Sequence, residues 1–280
     1  MSLARTADLV GDAAAHGRAV AAFNVIGLEH AEAIALGAER AGVGAILQLS
    51  ENAVQFHGGD PRPLLLACRA IAERSSTALS LHLDHVEDPA LTAAVIAESH
   101  VLGVSSIMID ASRFDYAENV EVTAEAARTA HAAGLWVEAE LGAIGGKDGA
   151  HAPGVRTDPV EAASFVSSTG VDALAVAVGS SHAMRDRSAA LDDDLVRRIA
   201  AVVPVPLVLH GSSWVPDELI ARAVAAGIRK VNVGTALNLA GTSAVRGALA
   251  DLDLVDPRKY NRPAREAMAE VVAAFCAVVS

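Results

Sequence analysis

The sequence predicts a (β/α)8 barrel. Three observations carry that prediction: eight short apolar runs, helical stretches between them, and no linker that divides the chain into domains. Its 280 residues suit a fold whose usual length is about 250 residues. The runs are continuously apolar rather than alternating, as strands buried on both faces of a parallel sheet are. An open doubly wound sheet would need a glycine-rich nucleotide turn after its first strand. The chain reads Ile26-Gly27-Leu28-Glu29 there instead.

In chain order, the first strand covers residues 20–25. The helix after it places Leu28, Ala31, Ala35, Ala38 and Ala41 at spacings of three and four and stops at Gly42. Residues 45–49 form the second strand, and a helix over 61–75 starts on a proline, whose missing N–H is harmless in a first turn. Strand 78–84 leads to helix 89–102, with Asp88 as its N-cap. Strand 105–109 leads to helix 115–133. Strand 135–141 is followed by the longest irregular stretch, 142–157, whose glycines and length predict a mobile active-site loop. Asp158 then caps helix 158–168. Strand 173–178 precedes a helix capped by Asp192, strand 206–210 precedes helix 216–226, and strand 230–233 is the eighth. Gly42, Gly134, Gly170 and Gly227 sit where helix C-caps belong. Residues 1–280 form one domain, with a C-terminal helical extension over 256–280.

Composition narrows the function. With 22 basic and 34 acidic residues the net charge is −12, which opposes binding to nucleic acid or anionic membrane. Asp8, Asp12 and His16 interrupt any apolar signal core. Cys68 and Cys276 are too few for a disulfide scaffold. The expectation is a cytoplasmic protein with neither nucleic-acid nor membrane partners.

Catalytic groups of such barrels gather at the C-terminal ends of the strands. Polar residues fall there at Asn24, Ser50, Asp84, His85, Asp110, Glu138, Glu140, Ser180, His182, His210, Ser213, Asn232 and Thr235. His85, His182 and His210 end three different strands, and three imidazoles around one open position make a catalytic zinc site. Asp84, beside His85, is either a proton acceptor or a carboxylate that orients an imidazole. Glu138 and Glu140 share a strand face; Glu138 either joins the site or pairs with a basic residue inside the barrel. His82 lies deeper, as a core or supporting residue. Small residues after strands seven and eight, at Gly211, Ser213 and Thr235, would expose backbone N–H groups to a phosphate.

At these positions the sequence resembles the class II, zinc-dependent ketose-bisphosphate aldolases, in the branch of the fructose- and tagatose-1,6-bisphosphate enzymes. The likeness runs through Ala22-Phe23-Asn24-Val25, Leu83-Asp84-His85, Ser106-Ile107-Met108-Ile109-Asp110, Val137-Glu138-Ala139-Glu140-Leu141-Gly142, Leu207-Val208-Leu209-His210-Gly211, Lys230-Val231-Asn232-Val233 and Asp256-Pro257-Arg258-Lys259-Tyr260. It implies reversible cleavage of a ketose 1,6-bisphosphate, fructose 1,6-bisphosphate first, to dihydroxyacetone phosphate and an aldehyde. His85, His182 and His210 would hold one catalytic Zn2+, with Glu140 able to meet it when substrate is absent. A monovalent cation is a further implied cofactor. Asp84 would exchange a proton with the sugar, and Asp148 would serve proton transfer to carbon. Gly179, Gly211, Ser213, Asn232 and Thr235 would form the triose-phosphate pocket beside Asn24. Ser50 and Arg258 would receive the far phosphate, the arginine reaching from a neighbouring subunit of a homodimer or homotetramer. The sequence departs from the family pattern at Lys147, Ala183 and Trp214, where the last would meet a backbone position suited to positive φ. Other readings of the same residues are a different ketose phosphate, a zinc hydrolase, or a sugar-phosphate binder without catalysis.

Overall fold

A computed structural model describes residues 3–141, 156–180 and 191–280. Eight parallel strands close into a barrel in chain order: β1 Val20–Asn24, β2 Ala45–Ser50, β3 Leu79–Val86, β4 Val104–Ile109, β5 Trp136–Glu140, β6 Ala173–Ala175, β7 Leu207–Leu209 and β8 Ile228–Val233. The helices are α1 Thr6–Ala15, α2 Leu28–Ala41, α3 Glu51–Phe56, α4 Arg62–Arg74, α5 Pro89–Leu102, α6 Tyr116–Ala132, α7 Pro159–Thr169, α8 Asp193–Ala200, α9 Asp217–Ala226, α10 Thr235–Ala248 and α11 Pro257–Val279. The fold is the one the sequence predicts. β6 and β7 are shorter than their apolar runs, which continue as buried coil through Val178 and His210. Asp88, Asp158 and Asp192 cap α5, α7 and α8 with their carboxylates.

Alternation along the strands makes two cores. Leu79, Leu81 and Leu83 of β3, Val137 and Ala139 of β5, and Val231 and Val233 of β8 face outward, into a shell shared with the helices. The other face of each strand points into the barrel. There Val10 and Ala13 of α1 pack on Val20, Ile46, Met108, Trp136, Ala173 and Val208, so α1 seals one end with an apolar plug. Thr6 tightens it: its hydroxyl lies 3.0 Å from the Ser80 hydroxyl and accepts from Ser106 at 2.6 Å.

The C-terminal segment becomes the single long helix α11. It crosses α2 so closely that a Cβ on Gly37 would lie 2.5 Å from the Cβ of Val272, so only glycine fits the crossing. At its end the carbonyl of Val279 accepts from the backbone N–H of Ala19 at 2.8 Å, tying the chain's end to the start of β1. Among the described residues no helix is long and apolar enough to cross a membrane.

Candidate active site

On a regular strand Asp84 and His85 would point to opposite faces. Here the pairing of β3 with β4 slips between Leu83 and Val86, and His85 takes a left-handed φ of 48°. It is the single non-glycine residue with positive φ among those described. Such a conformation costs of order 1–3 kcal/mol for a residue with a Cβ and persists where its surroundings enforce it. Its effect is to bring both side chains into one pocket, of about 390 Å3, at the C-terminal mouth of the barrel.

His85 and His210 meet at the base of this pocket. The Nδ1 of His85 lies 2.8 Å from Asp110 Oδ2, and the Nε2 of His210 lies 2.9 Å from Glu138 Oε1. An ionised carboxylate only accepts hydrogen bonds, so each of these ring nitrogens carries the hydrogen. That leaves a lone pair on His85 Nε2 and one on His210 Nδ1, and the two atoms lie 2.9 Å apart. Neutral rings so arranged repel, and a shared cation resolves the conflict.

Carboxylates surround that point. Asp84, His85 and His210 offer ligand atoms within 4.8 Å of one another, and so do His85, Asp110 and Glu140. Burial alone would lower the His85 pKa, but the charge of Asp84, the bond to Asp110 and the charges of Glu140 and Asp110 raise it to about 10. Burial and the nearby His85 charge hold His210 low. For Asp84, burial pushes the carboxyl up, but His85, His82, His210 and Lys230 outweigh it and keep the group ionised, well below the usual range. The field therefore favours a cation between the rings: a proton in the free protein, or a metal ion. Imidazole nitrogen with carboxylate oxygen is a donor set for zinc and similar divalent ions, and each ring already has the carboxylate partner that metal-binding histidines use.

Beneath the rings lies a network in which Lys230 and Gln48 are the members the sequence did not single out. Lys230, fully buried, donates to Glu138 Oε2 at 2.8 Å and to Asn232 Oδ1 at 2.7 Å. The Asn232 amide then donates toward Asp84 Oδ1 at 3.3 Å, and Gln48 donates to Asp84 Oδ2 at 3.3 Å and to Asn24 Oδ1 at 2.6 Å. Glu138 is thus both a basic residue's partner and part of the site. Burial would raise its pKa, but Lys230 first and His210 next bring it down to about 2. His82 sets its Nδ1 against Ser106 and lies 3.7 Å from Asp84. The available signal was polar residues spaced by two within apolar strands: His82 and Asp84, Glu138 and Glu140, Lys230 and Asn232.

The far wall is made of turns and helix starts. Gly211, at φ 66°, opens the one-turn helix Ser212–Trp214, and Gly234 and Thr235 start α10. The Ser213 hydroxyl accepts from the N–H of Ala236 at 3.2 Å, and Ser212 donates to the carbonyl of Asn232 at 2.6 Å. Asn24, Ser50, Gly211, Ser213, Asn232 and Thr235 all line the pocket. Trp214 lines it too, without positive φ, because the turn places that conformation on Gly211. Gly179, at φ 124°, follows β6 but does not line the pocket. Arg258 lies on the surface, held by Asp256 at 2.9 Å, and is absent from its own chain's pocket. Asp148 and His182, with Lys147 and Ala183, lie outside the described residues.

The sequence profile described as fructose-bisphosphate aldolase class-II matches residues 4–280. The chain belongs to that family. A fructose-bisphosphate aldolase from Thermus caldophilus is 38% identical over an alignment of 293 positions, which covers 95% of this chain and 94% of that one. The crystal structure of the YdjI aldolase from Escherichia coli K12 superposes with a TM-score of 0.84 at 30% identity, covering 99% of this chain and 97% of the other. A fructose-bisphosphate aldolase structure from Campylobacter jejuni, 22% identical, shares the fold with a TM-score of 0.83, covering 99% of this chain and 96% of that one. The protein is therefore a class II aldolase, an enzyme class that depends on a metal ion, and the two ring nitrogens with their carboxylates are a donor set that fits one.

Proposed function

We propose that the protein is a zinc-dependent aldolase that cleaves fructose 1,6-bisphosphate reversibly to dihydroxyacetone phosphate and an aldehyde. The observation that carries this reading is the 2.9 Å meeting of two ring nitrogens beside an ionised Asp84, at the base of a pocket walled by Gly211, Ser213 and Thr235. His85 and His210 would hold the ion, joined by His182, with Glu140 able to meet it when substrate is absent. When bound, the ion supplies a Lewis acid that draws off the negative charge left on the triose fragment as the carbon–carbon bond breaks.

Asp84 takes the proton of the C4 hydroxyl. The C4 oxygen then forms the aldehyde carbonyl, and the pair of electrons from the C3–C4 bond stays with the triose fragment. Asp148 returns a proton to C3. Gln48 and Asn232 hold the Asp84 carboxylate from both sides, so it faces the sugar without reorientation, the preorganisation from which enzymes draw much of their rate. Backbone amides at Gly211, Gly234 and the start of α10, with Ser213 and Thr235, bind the triose phosphate. Asn24 contacts the sugar, and Ser50 faces the far phosphate.

Arg258 completes the far phosphate site of a partner subunit, which makes the working form a homodimer or homotetramer. Exposure of Arg258 away from its own pocket supports this. Two buried free thiols, Cys68 and Cys276, suit a reducing cytoplasm.

The test is release of triose phosphate and aldehyde from a panel of ketose phosphates that differ at C4, with and without chelator. Fructose 1,6-bisphosphate should be cleaved fastest, and zinc should restore the chelated enzyme. Faster cleavage of the C4 epimer would reassign the substrate, and full activity in excess chelator would overturn the metal role.

A further inference from the structure

The barrel interior holds one ion pair that structural stability alone does not call for. Lys230 and Glu138 are both fully buried, while Ala22, Met108, Ala173 and Val208 fill neighbouring interior positions with apolar side chains. Replacing a buried pair by apolar residues is often neutral or stabilising. β8 also distorts to bring the lysine inside: its pairing with β7 runs Leu207 to Ile228 and then Val208 to Lys230, leaving Arg229 as an extra residue. Bulges of this kind re-aim a side chain.

The re-aimed ammonium has two arms. One reaches Glu138 Oε2 and leaves Oε1 to accept from His210 Nε2. The other reaches Asn232 Oδ1, which turns the Asn232 amide nitrogen toward Asp84. That same amide lies 3.1 Å from His210 Nε2. An amide donor and a carboxylate acceptor thus compete over one ring nitrogen, and their outcome decides which nitrogen carries the hydrogen. If the amide won, His210 Nδ1 would be protonated and unable to bind an ion.

We propose that Lys230 is a positioning residue that, by gripping Glu138 and Asn232 together, fixes the His210 tautomer that leaves Nδ1 bare for the metal. It rests on the metal-binding part of the proposed function and not on the identity of the sugar.

The isosteric variant Glu138→Gln separates this from a packing role. With Lys230 in place, the ammonium takes the Gln carbonyl oxygen, so the Gln NH2 faces His210 Nε2 and drives the hydrogen to Nδ1. Zinc affinity, read by competition with a chromophoric chelator, should fall by about 100-fold, the upper end of the effect of losing such a partner. Removing the lysine as well, in Glu138→Gln/Lys230→Met, frees the amide to rotate and should recover about tenfold of that loss. Histidine ring 15N shifts of metal-free protein should show the Nε2–H form in the parent, Nδ1–H in the single variant and a mixture in the double.

Parental zinc affinity in both variants, or a double variant no better than the single, overturns the proposal. Where Glu138→Gln does not fold, the double variant decides alone: a single parental tautomer contradicts the proposal and a mixture supports it. Because the ring shifts are read without metal, a parent that takes up no zinc would count against the proposed function while this test still stands.

Discussion

The same strands bound two interiors of opposite chemistry. On their outer face, Leu79, Leu81 and Leu83 of β3 join Phe165, Val137 and Val231 in a shell whose stability comes from removing apolar area from water, at roughly 25 cal/mol per Å2. On the inner face, β3 presents Ser80, His82 and Asp84, all buried, and β5 and β8 add Glu138, Glu140, Lys230 and Asn232. Groups of that kind cost free energy unless each finds a partner. The outer shell tolerates changes of shape because dispersion and hydrophobic burial have no direction. Hydrogen bonds in the inner network do, so a change there moves a proton or a lone pair even where the fold survives. Stability resides in the first region and chemistry in the second.

That contrast is sharpest at Asp84. Asp84→Ala should keep its metal yet lower kcat for aldol cleavage by about 100- to 10,000-fold, the range of acid–base catalysis; turnover is followed by coupled triose-phosphate assay, and metal by elemental analysis. Phe165→Ala, in the shell, should behave oppositely. It should cost about 3–5 kcal/mol of unfolding free energy in a denaturant titration and leave zinc affinity per folded molecule unchanged. A shell variant that lost metal selectively, or an Asp84 variant that lost only stability, would erase the distinction.

Asp110→Asn probes the margin between the two regions. Ser112 donates to Asp110 Oδ1 from its backbone and its hydroxyl, so the Asn oxygen stays there and the amide NH2 replaces the oxygen that faces His85 Nδ1; zinc binding should weaken by about 10–100-fold with little change in stability. The last effect concerns pH. With a His85 pKa of about 10 in the metal-free protein, the ion must displace a proton. Zinc affinity should therefore rise with pH between 7 and 9, and calorimetry in buffers of different ionisation enthalpy should show about one proton released per ion. Affinity independent of pH would mean that His85 does not hold the ion.

Much of this was legible in the sequence. Eight apolar runs and well-placed caps such as Asp88 and Asp158 are local signals, and the outer shell follows from them. His85, His210 and Asp84 were visible because their chain positions end strands. What stayed hidden depends on strand register. Nothing local marks Lys230 as inward-facing until the irregularity at Arg229 sets the register of β8, and Asp110 is one of many polar strand-end residues until β4 sets it against His85. The left-handed backbone of His85 is likewise a tertiary effect, since nothing local favours it. The helix α3, six residues long, is too short to show a helical period.

The central claim is that one ion binds between the rings of β3 and the end of β7. Anomalous diffraction from crystals of the zinc-loaded enzyme, recorded on both sides of the zinc edge, tests it most directly. The account predicts one strong peak per chain within bonding distance of both His85 Nε2 and His210 Nδ1; a sole peak elsewhere on the molecule, or none at full zinc loading, would contradict it.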